Sequence, residues 1–414
     1  KLLIFLIIIL QALLFAACQP ADNQGTDSES DFKVVSTEPA HGSSDLSPHA
    51  VSSITVRFSN TIDSSTLNER SFWVDDGSRM LGGTLSVSGD TVSFQSSSAL
   101  FFGKTHTISI GSSVADIDHQ QLGSVVSFQF STVAADIVPV PDTNQTVSYT
   151  DIYGEDSDYS IHHPVYIDNN NSTVTDTITG LEWQLTDNPV TETWLNANSY
   201  CEGLVLGGVS DWRLPSVKEL SGIANLAVVT PTPTISAIFT GTDIESYWTS
   251  TDYAADPTYV WTLDFQYGYV VHLLKTGIYR SRCVRENEQM EGGFLDNGNG
   301  SVSDVTTGLL WQQYEGGTLP WEDALNYCES LSLSNRDDWR LPNRKELISL
   351  VDFDLSNPAL DSSFFPAVSS SRYWTSTTYV DSSNDAWFVD FNDGNSVQQQ
   401  KTLAAEVRCV GAGN

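Results

Sequence analysis

Two nine-residue stretches of this 414-residue chain alternate oxygen-bearing side chains through a tight turn. One runs from Asp168 through Asn170 to Asp176, and the other from Asp296 through Asn297 and Asn299 to Asp304. Hard oxygen ligands on a tight loop are what Ca2+ takes, so these residues form a candidate Ca2+ site. The same pattern also makes a hairpin turn, in which Asn-Gly supplies positive φ and Asp side chains accept from nearby backbone amides. The terminal bidentate Glu of an EF-hand is missing, and the turn is the simpler reading. A second set follows two copies of YWTST: Asp252, Tyr253, Tyr259, Tyr267 and Tyr269, then Tyr379, Asp381, Asn384, Asn392 and Asp393. Loops carried on a rigid scaffold are where binding proteins place ligand contacts. There is no GxSxG, HExxH, CxxC or phosphate-cradling glycine loop. The adjacent pair His162 and His163 fits surface chance better than a metal site. The chemistry to expect is therefore binding, without catalysis and with no cofactor beyond Ca2+.

The elements that must hold these residues occur twice. VTDTITGLEWQ (Val174 to Gln184) is echoed by VSDVTTGLLWQ (Val302 to Gln312), and Trp194 with Cys201 by Trp321 with Cys328. DWRLPSVKEL from Asp211 returns as DWRLPNRKEL from Asp338, YWTST from Tyr247 at Tyr373, and RCV from Arg282 at Arg408. Offsets of 304 − 176 = 128, 338 − 211 = 127 and 408 − 282 = 126 describe a duplicated globular domain, too long in period for a solenoid. Each copy opens on a hairpin pattern. Trp194, Ala197, Cys201 and Leu204, like Trp321, Leu325, Cys328 and Leu331, then fall at helical spacing. Ser216 with Glu219, and Asn343 with Glu346, predict capping boxes on a second helix. In DWRLP, Asp211–Arg213 and Asp338–Arg340 are expected to pair, with Trp212 and Trp339 in the core. Trp183, Trp248, Trp261, Trp311, Trp374 and Trp387, matched between copies, are also expected in the core.

Four cysteines, Cys201, Cys283, Cys328 and Cys409, allow three pairings. The duplication favours a bridge within each copy, and free buried thiols are the alternative. The N-terminus predicts export: Lys1 precedes an apolar run that ends at Ala16-Ala17-Cys18. Interruption by Gln11 and the polar stretch that follows argue against a spanning helix. The formal charge of −33 opposes binding to nucleic acid or anionic lipid heads and suits salty surroundings. Residues 18–31 read as a tether and residues 134–161 as a linker. Between them, residues 32–133 alternate apolar and polar positions (Ile54, Val56, Phe58; Ile108, Ile110; Val126, Phe128, Phe130), the pattern of a β-sandwich.

Several of these segments resemble known families. Ala16-Ala17-Cys18 resembles a bacterial lipobox, although Phe15 stands where Leu is usual; this implies lipidation of Cys18, and Gln19 implies an outer-membrane address. Ordinary cleavage near Ala17 is the alternative. EPAHGSSDLSP, ITVRFSNTIDSSTL, LFFGKTHTISI and VVSFQFST resemble the bacterial Ig-like domain of surface-layer and adhesin proteins, which implies a spacer. The set D-x-x-T-G-L-x-W, W…C, DWRLP-x-x-x-EL, YWTS and RCV resembles the C-terminal domain family of the Legionella collagen-like adhesin. It spans residues 162–287 and 288–414. A more distant similarity to the formylglycine-generating enzyme family and C-type-lectin-like folds implies an α+β domain. Its bridge would join the first helix to the last strand, and Cys201–Cys283 fits that. The enzymatic role does not transfer, because each copy has only two cysteines and both are placed to be structural. The adhesin's association with sulfated glycosaminoglycans needs cations. Here Lys218, Arg280, Arg282, Arg285, Arg336, Arg344 and Lys345 are scattered among many acids.

The expectation is a multidomain chain: a signal peptide over 1–17, an all-β Ig-like sandwich, and two α+β C-type-lectin-like domains. It would be lipid-anchored to the outer membrane at the cell surface and bind a glycan or a surface protein, with homo-oligomers possible. A structural envelope protein is the alternative.

Overall fold

The computed structural model describes residues 32–44, 46, 51, 53–68, 70–77, 80–96, 100, 104–132, 137–285 and 293–412. The segments expected to be a signal peptide and a tether, and Cys18 with them, lie outside these residues. The chain divides into two compact units, Lys1–Val133 and Ala134–Asn414.

The first unit is a sandwich of β1 (Val34–Glu38), β2 (Ile54–Phe58), β3 (Phe72–Asp75), β4 (Gly83–Ser88), β5 (Thr91–Ser96), β6 (Thr105–Ile110) and β7 (Val126–Ser131). One sheet has the order β1-β2-β5-β4 and the other β3-β6-β7. The alternation read from the sequence faces inward: Ile54, Val56, Phe58, Val92, Phe94, Ile108, Ile110, Phe128 and Phe130 share one buried core. Period-two patterning buries one side of each strand, and two such sheets close over each other.

The second unit holds both copies. Each copy opens on a small antiparallel sheet that contains its hairpin, Thr173–Asp176 with Glu182–Gln184 and Ser301–Asp304 with Leu309–Gln312. Each has two short helices: α1 (Trp194–Glu202) and α2 (Val217–Gly222) in the first, α3 (Trp321–Glu329) and α4 (Arg344–Leu350) in the second. The unit is thus mostly β, with helices of nine, six, nine and seven residues. Both capping boxes form: Ser216 and Asn343 accept from the amides of Glu219 and Glu346, whose carboxylates accept in return.

The copies are not separate beads. One sheet of ten strands runs through both, in the order Asn188–Glu192, Tyr279–Ser281, Ser246–Asp252, Tyr259–Asp264 and Val270–Leu274, then Ser396–Gln400, Asp385–Asp390, Arg372–Thr378, Ala404–Glu406 and Thr318–Pro320. The second five are the equivalents of the first five in reverse order, as a local two-fold axis requires. Disulfides join Cys201 to Cys283 and Cys328 to Cys409, so each copy carries its own bridge.

The DWRLP segment differs from expectation in its ion pairs. Trp212 and Trp339 are buried as expected. Arg213, however, donates both terminal nitrogens to Glu219 at 2.8 and 2.7 Å, and Arg340 to Glu346 at 2.7 and 2.5 Å. Asp211 instead accepts from Arg285, and Asp338 from Arg336. The planar guanidinium fork matches the capping-box carboxylate, which the helix start holds in place.

Residues 137–161 also depart from a bare linker. They have little regular structure, yet Asp142, Thr143, Gln145, Glu155 and Asp156 are buried against the copies. Gln145 donates to the carbonyls of Leu226 and Thr378, one from each copy. This segment is a strap across the two-fold body.

Candidate functional site

The seam between the copies gathers several of the loop residues that the sequence singled out. Lys218 Nζ donates to the Ser349 carbonyl and Lys345 Nζ to the Gly222 carbonyl, both at 2.8 Å. These are equivalent bonds made in opposite directions. Beneath them Trp261 meets Phe353 edge-on at 5.1 Å, and Trp387 meets Tyr269 at 5.7 Å.

Two equivalent clusters form at the seam, and each draws on both copies. In the first, Tyr253 stacks on His272 at 3.9 Å and packs edge-on against Tyr259 and Trp261. Asp393 of the second copy lies within electrostatic reach of both Tyr253 and His272. Burial lowers the pKa of His272, and Asp393 partly opposes this. Burial raises the Asp393 carboxyl, which backbone donation from Asn395 partly offsets. In the second cluster Tyr379 packs on Trp387 at 5.5 Å and faces Tyr269 at 6.5 Å, while Tyr267 stacks on Tyr269 at 5.1 Å. Asp381 accepts from the amide of Thr230 of the first copy. Burial first, then the hydrogen bond to Tyr269, pushes the Tyr379 hydroxyl well above its ordinary range.

Tyr379 itself is only 7% exposed, and Tyr269 packs on its ring and on Trp387, so these two serve the seam before any ligand. Asp252 stays exposed and pairs with Lys275 at 2.6 Å. Asn392 and Asp381 are exposed, and Tyr259 and Tyr267 are half-buried at the cluster edges. Asn384 is exposed in the turn before Asp385–Asp390. His272 and the strap acids Glu155 and Asp156 were not singled out from the sequence. His272 is a lone histidine in a strand, and the strap was hidden in a stretch read as a linker.

The oxygen-rich loops are occupied by their own backbone. Asp168 accepts from the Asn170 amide at 2.8 Å and Asp296 from the Gly298 amide at 2.8 Å. Asn297 donates to Ser301 and Ser303, and Asn299 accepts from Ser301. Asp176 accepts from Ile178 and Thr179, and Asp304 from Thr306 and Thr307. These are Asx turns, with Asn170 at φ 58° and Gly298 at φ 68°. Among the described residues no group of three or more His, Cys, Asp or Glu side chains is placed to hold a metal.

Several cations of the copies are not available to a polyanion. Arg282, Arg344 and Lys345 are buried. Arg282 donates to the carbonyls of Gln184 and Leu185, as its counterpart Arg408 does to Gln312 and Gln313. Arg344 lies over the Trp387 ring at 4.4 Å.

The model of the Lcl C-terminal domain matches residues 172–285 and 300–411, and that of a bacterial Ig-like domain matches residues 28–132. No curated protein matches the chain. Among solved structures, the N-terminal part of the bacterial S-layer protein SbsC is 18% identical over 38% of this chain and 35% of its own, with a TM-score of 0.20. L,D-transpeptidase 3 from Mycobacterium tuberculosis, solved with a faropenem-derived adduct, is 16% identical over 36% of this chain and 46% of its own, with a TM-score of 0.18. The chain thus spans between a third and a half of these structures, and at such scores the likeness carries no argument. The two matches to one domain model together cover more than half of the sequence: the chain belongs to the Lcl C-terminal domain family, with two copies in tandem behind a bacterial Ig-like domain.

Proposed function

We propose that this protein is a non-enzymatic binding protein of the bacterial cell surface, an adhesin in the broad sense. In this reading Cys18 carries a lipid anchor in the outer membrane, the Ig-like domain acts as a spacer, and the paired copies are lectin-like domains that contact a glycan or a surface protein. The observation that carries it is the seam, where two equivalent aromatic and acidic clusters are each assembled from both copies. Tyr259, Asn392 and Asp393 edge one cluster, and Tyr267 and Asp381 the other. Aromatic faces beside fixed carboxylates and amides suit sugar rings, whose apolar faces stack and whose hydroxyls donate. Because the copies form one body, the two clusters have a fixed spacing, and a ligand long enough to reach both gains avidity without the entropy of a flexible linker. The burial of Arg282, Arg344 and Lys345 points to neutral glycans rather than sulfated ones.

The test is a glycan array probed with the non-reduced chain from Gln19 onward, in Ca2+ and then in EDTA. Neutral-glycan hits of equal strength in both buffers, weakened roughly tenfold by Tyr259→Ala with Asn392→Ala, are the expected result. Absence of hits in both buffers would sink the glycan reading and leave protein contacts.

A further inference from the structure

The strap shows what one face of a copy can bind. Over the second copy, Asp156 is buried and accepts from Thr143 at 2.7 Å and from Thr377 at 2.5 Å. Glu155 accepts from Thr378, whose hydroxyl also receives a hydrogen bond from Lys401 at 2.8 Å. Tyr159 lies over the Arg340 guanidinium at 5.2 Å and donates to Glu329. Thr150 donates to Glu322 on α3 at 3.0 Å, and Ile152 packs on the core around Trp321 and Trp339. Lys345 donates to the Asp142 carbonyl at 2.7 Å. A short acidic segment, turned at Tyr153-Gly154 and wound into a 3-10 helix over Asp156–Asp158, thus closes a face made by α3, the start of α4 and the C-terminal end of strand Arg372–Thr378.

The first copy has the same face without the strap. Arg213, Lys218 and Lys275 stand where Arg340, Lys345 and Lys401 stand in the second, so all three cations are kept. Lys275 lies over Trp194 at 4.4 Å, as Lys401 lies over Trp321 at 3.7 Å. Exposure differs in the way that a missing cover requires. The Arg213 side chain is 39% exposed against 7% for Arg340. Trp194 is half-buried and Trp321 fully buried, while Lys218 and Ser250 are exposed where Lys345 and Ser376 are buried. Leu195, in the place of Glu322, is 66% exposed. Among the described residues, none of the hydrophobic side chains packed on the first copy's small core, around Trp212 and Trp248, comes from the strap.

We infer that this open face of the first copy docks a short acidic peptide from a partner protein, turned and seated as Thr150 to Tyr159 are on the second copy. The differences between the faces set the sequence it prefers. Asp252 replaces Thr378 and already neutralises Lys275 at 2.6 Å, so the position of Glu155 takes a neutral residue. The position of Asp156 keeps its carboxyl, facing the Thr251 hydroxyl with Arg213 nearby. An aromatic ring at the position of Tyr159 covers Arg213, and an apolar residue at the position of Thr150 covers Leu195. Short peptides gain affinity in this way from a few anchor side chains that fill matching places on the face. The inference does not rest on the glycan reading, since Leu195 and Arg213 lie outside the seam clusters.

The test uses the chain from Gln19 onward and a labelled peptide of residues 148–160 that carries Thr150→Leu and Glu155→Gln. Binding is followed by fluorescence anisotropy and by tryptophan emission. The expected result is saturable binding of one peptide per chain, with Kd on the order of 100 μM or tighter. Leu195→Glu in the protein should weaken it roughly tenfold, as should Asp156→Asn with Tyr159→Ala in the peptide. Leu195 is exposed, and an unchanged unfolding midpoint of its variant separates loss of the face from loss of the fold. No saturation at millimolar peptide overturns the inference. So does binding that is indifferent to Leu195→Glu, which would mean that the peptide displaces the strap from the second copy.

Discussion

Val270 and Ser396 pair across the middle of the ten-stranded sheet, and they are the same position of the two copies: 396 − 270 = 126, the offset that also relates Tyr247 to Tyr373. An antiparallel pair of equivalent residues places the local two-fold axis between them. The reciprocal bonds of Lys218 and Lys345 obey the same axis. A seam that continues a sheet and buries aromatic rings couples the two copies energetically, so they should unfold together.

Near the seam, Gly394 adopts φ +103°, and a Cβ there would lie 2.7 Å from Phe353, which packs on Trp261 of the first copy, and 3.1 Å from Val351. Gly394→Ala should cost about 2–3 kcal/mol from left-handed backbone and overpacking together. It should also split the single urea transition into two. A variant that unfolds in one transition at the wild-type midpoint would show that the seam is not a cooperative contact.

The strap makes the two DWRLP arginines unequal. Arg340 and Glu346 are buried beneath it, while Arg213 is partly open to water. Lys cannot reproduce the bidentate fork, and a mispaired buried carboxylate is costly. Arg340→Lys should therefore destabilise by about 3 kcal/mol and Arg213→Lys by about 1 kcal/mol, as read from denaturant midpoints. Equal costs would mean that the strap does not dry the second site.

The strap also makes stability depend on pH. Burial above all pushes the Asp156 carboxyl up to about 7, whereas in the unfolded chain it titrates near 4. Between those values the folded state keeps a proton that the unfolded chain has released, so this contribution is full in acid and falls as pH rises through that window. Lys345, brought down to about 7 by burial, acts oppositely: from about 7 to about 10 the unfolded chain binds the extra proton, and stability recovers with rising pH. Asp156→Asn should flatten the fall between about pH 4 and pH 7 and leave the alkaline rise. Urea midpoints of both proteins across that range decide it, and an unchanged acid limb in the variant would count against the assignment.

The disulfides close loops with sequence separations of 82 and 81 residues. Loops of that length lose roughly 4 kcal/mol of stabilisation when opened. Cys201→Ser with Cys283→Ser, or Cys328→Ser with Cys409→Ser, should each lower the thermal midpoint. Reduction of the wild-type protein should lower it further than either pair alone. A reduced protein as stable as the oxidised one would place the stability in packing alone.

The sequence by itself determined what is local or repeated. Alternation in Ile54, Val56 and Phe58 fixed a sandwich face because side chains leave a strand on alternate sides. Ser216 with Glu219 fixed a helix start because a cap needs only three residues of chain. The duplication favoured one bridge in each copy, since equivalent cysteines occupy equivalent sites, and the structure forms both. What only the tertiary structure decided is long-range. Arg213 and Arg340 chose the capping-box glutamates over the neighbouring aspartates because the helix start presents a fixed carboxylate to the guanidinium. Val270 met Ser396 because two equivalent sheet edges were free to continue each other, a pairing that no local pattern encodes. Residues 150–159 of the strap folded over this face of the second copy and left the equivalent face of the first open. Two nearly identical faces cannot both be covered by a single segment that occurs once in the chain, so sequence equivalence did not become structural equivalence.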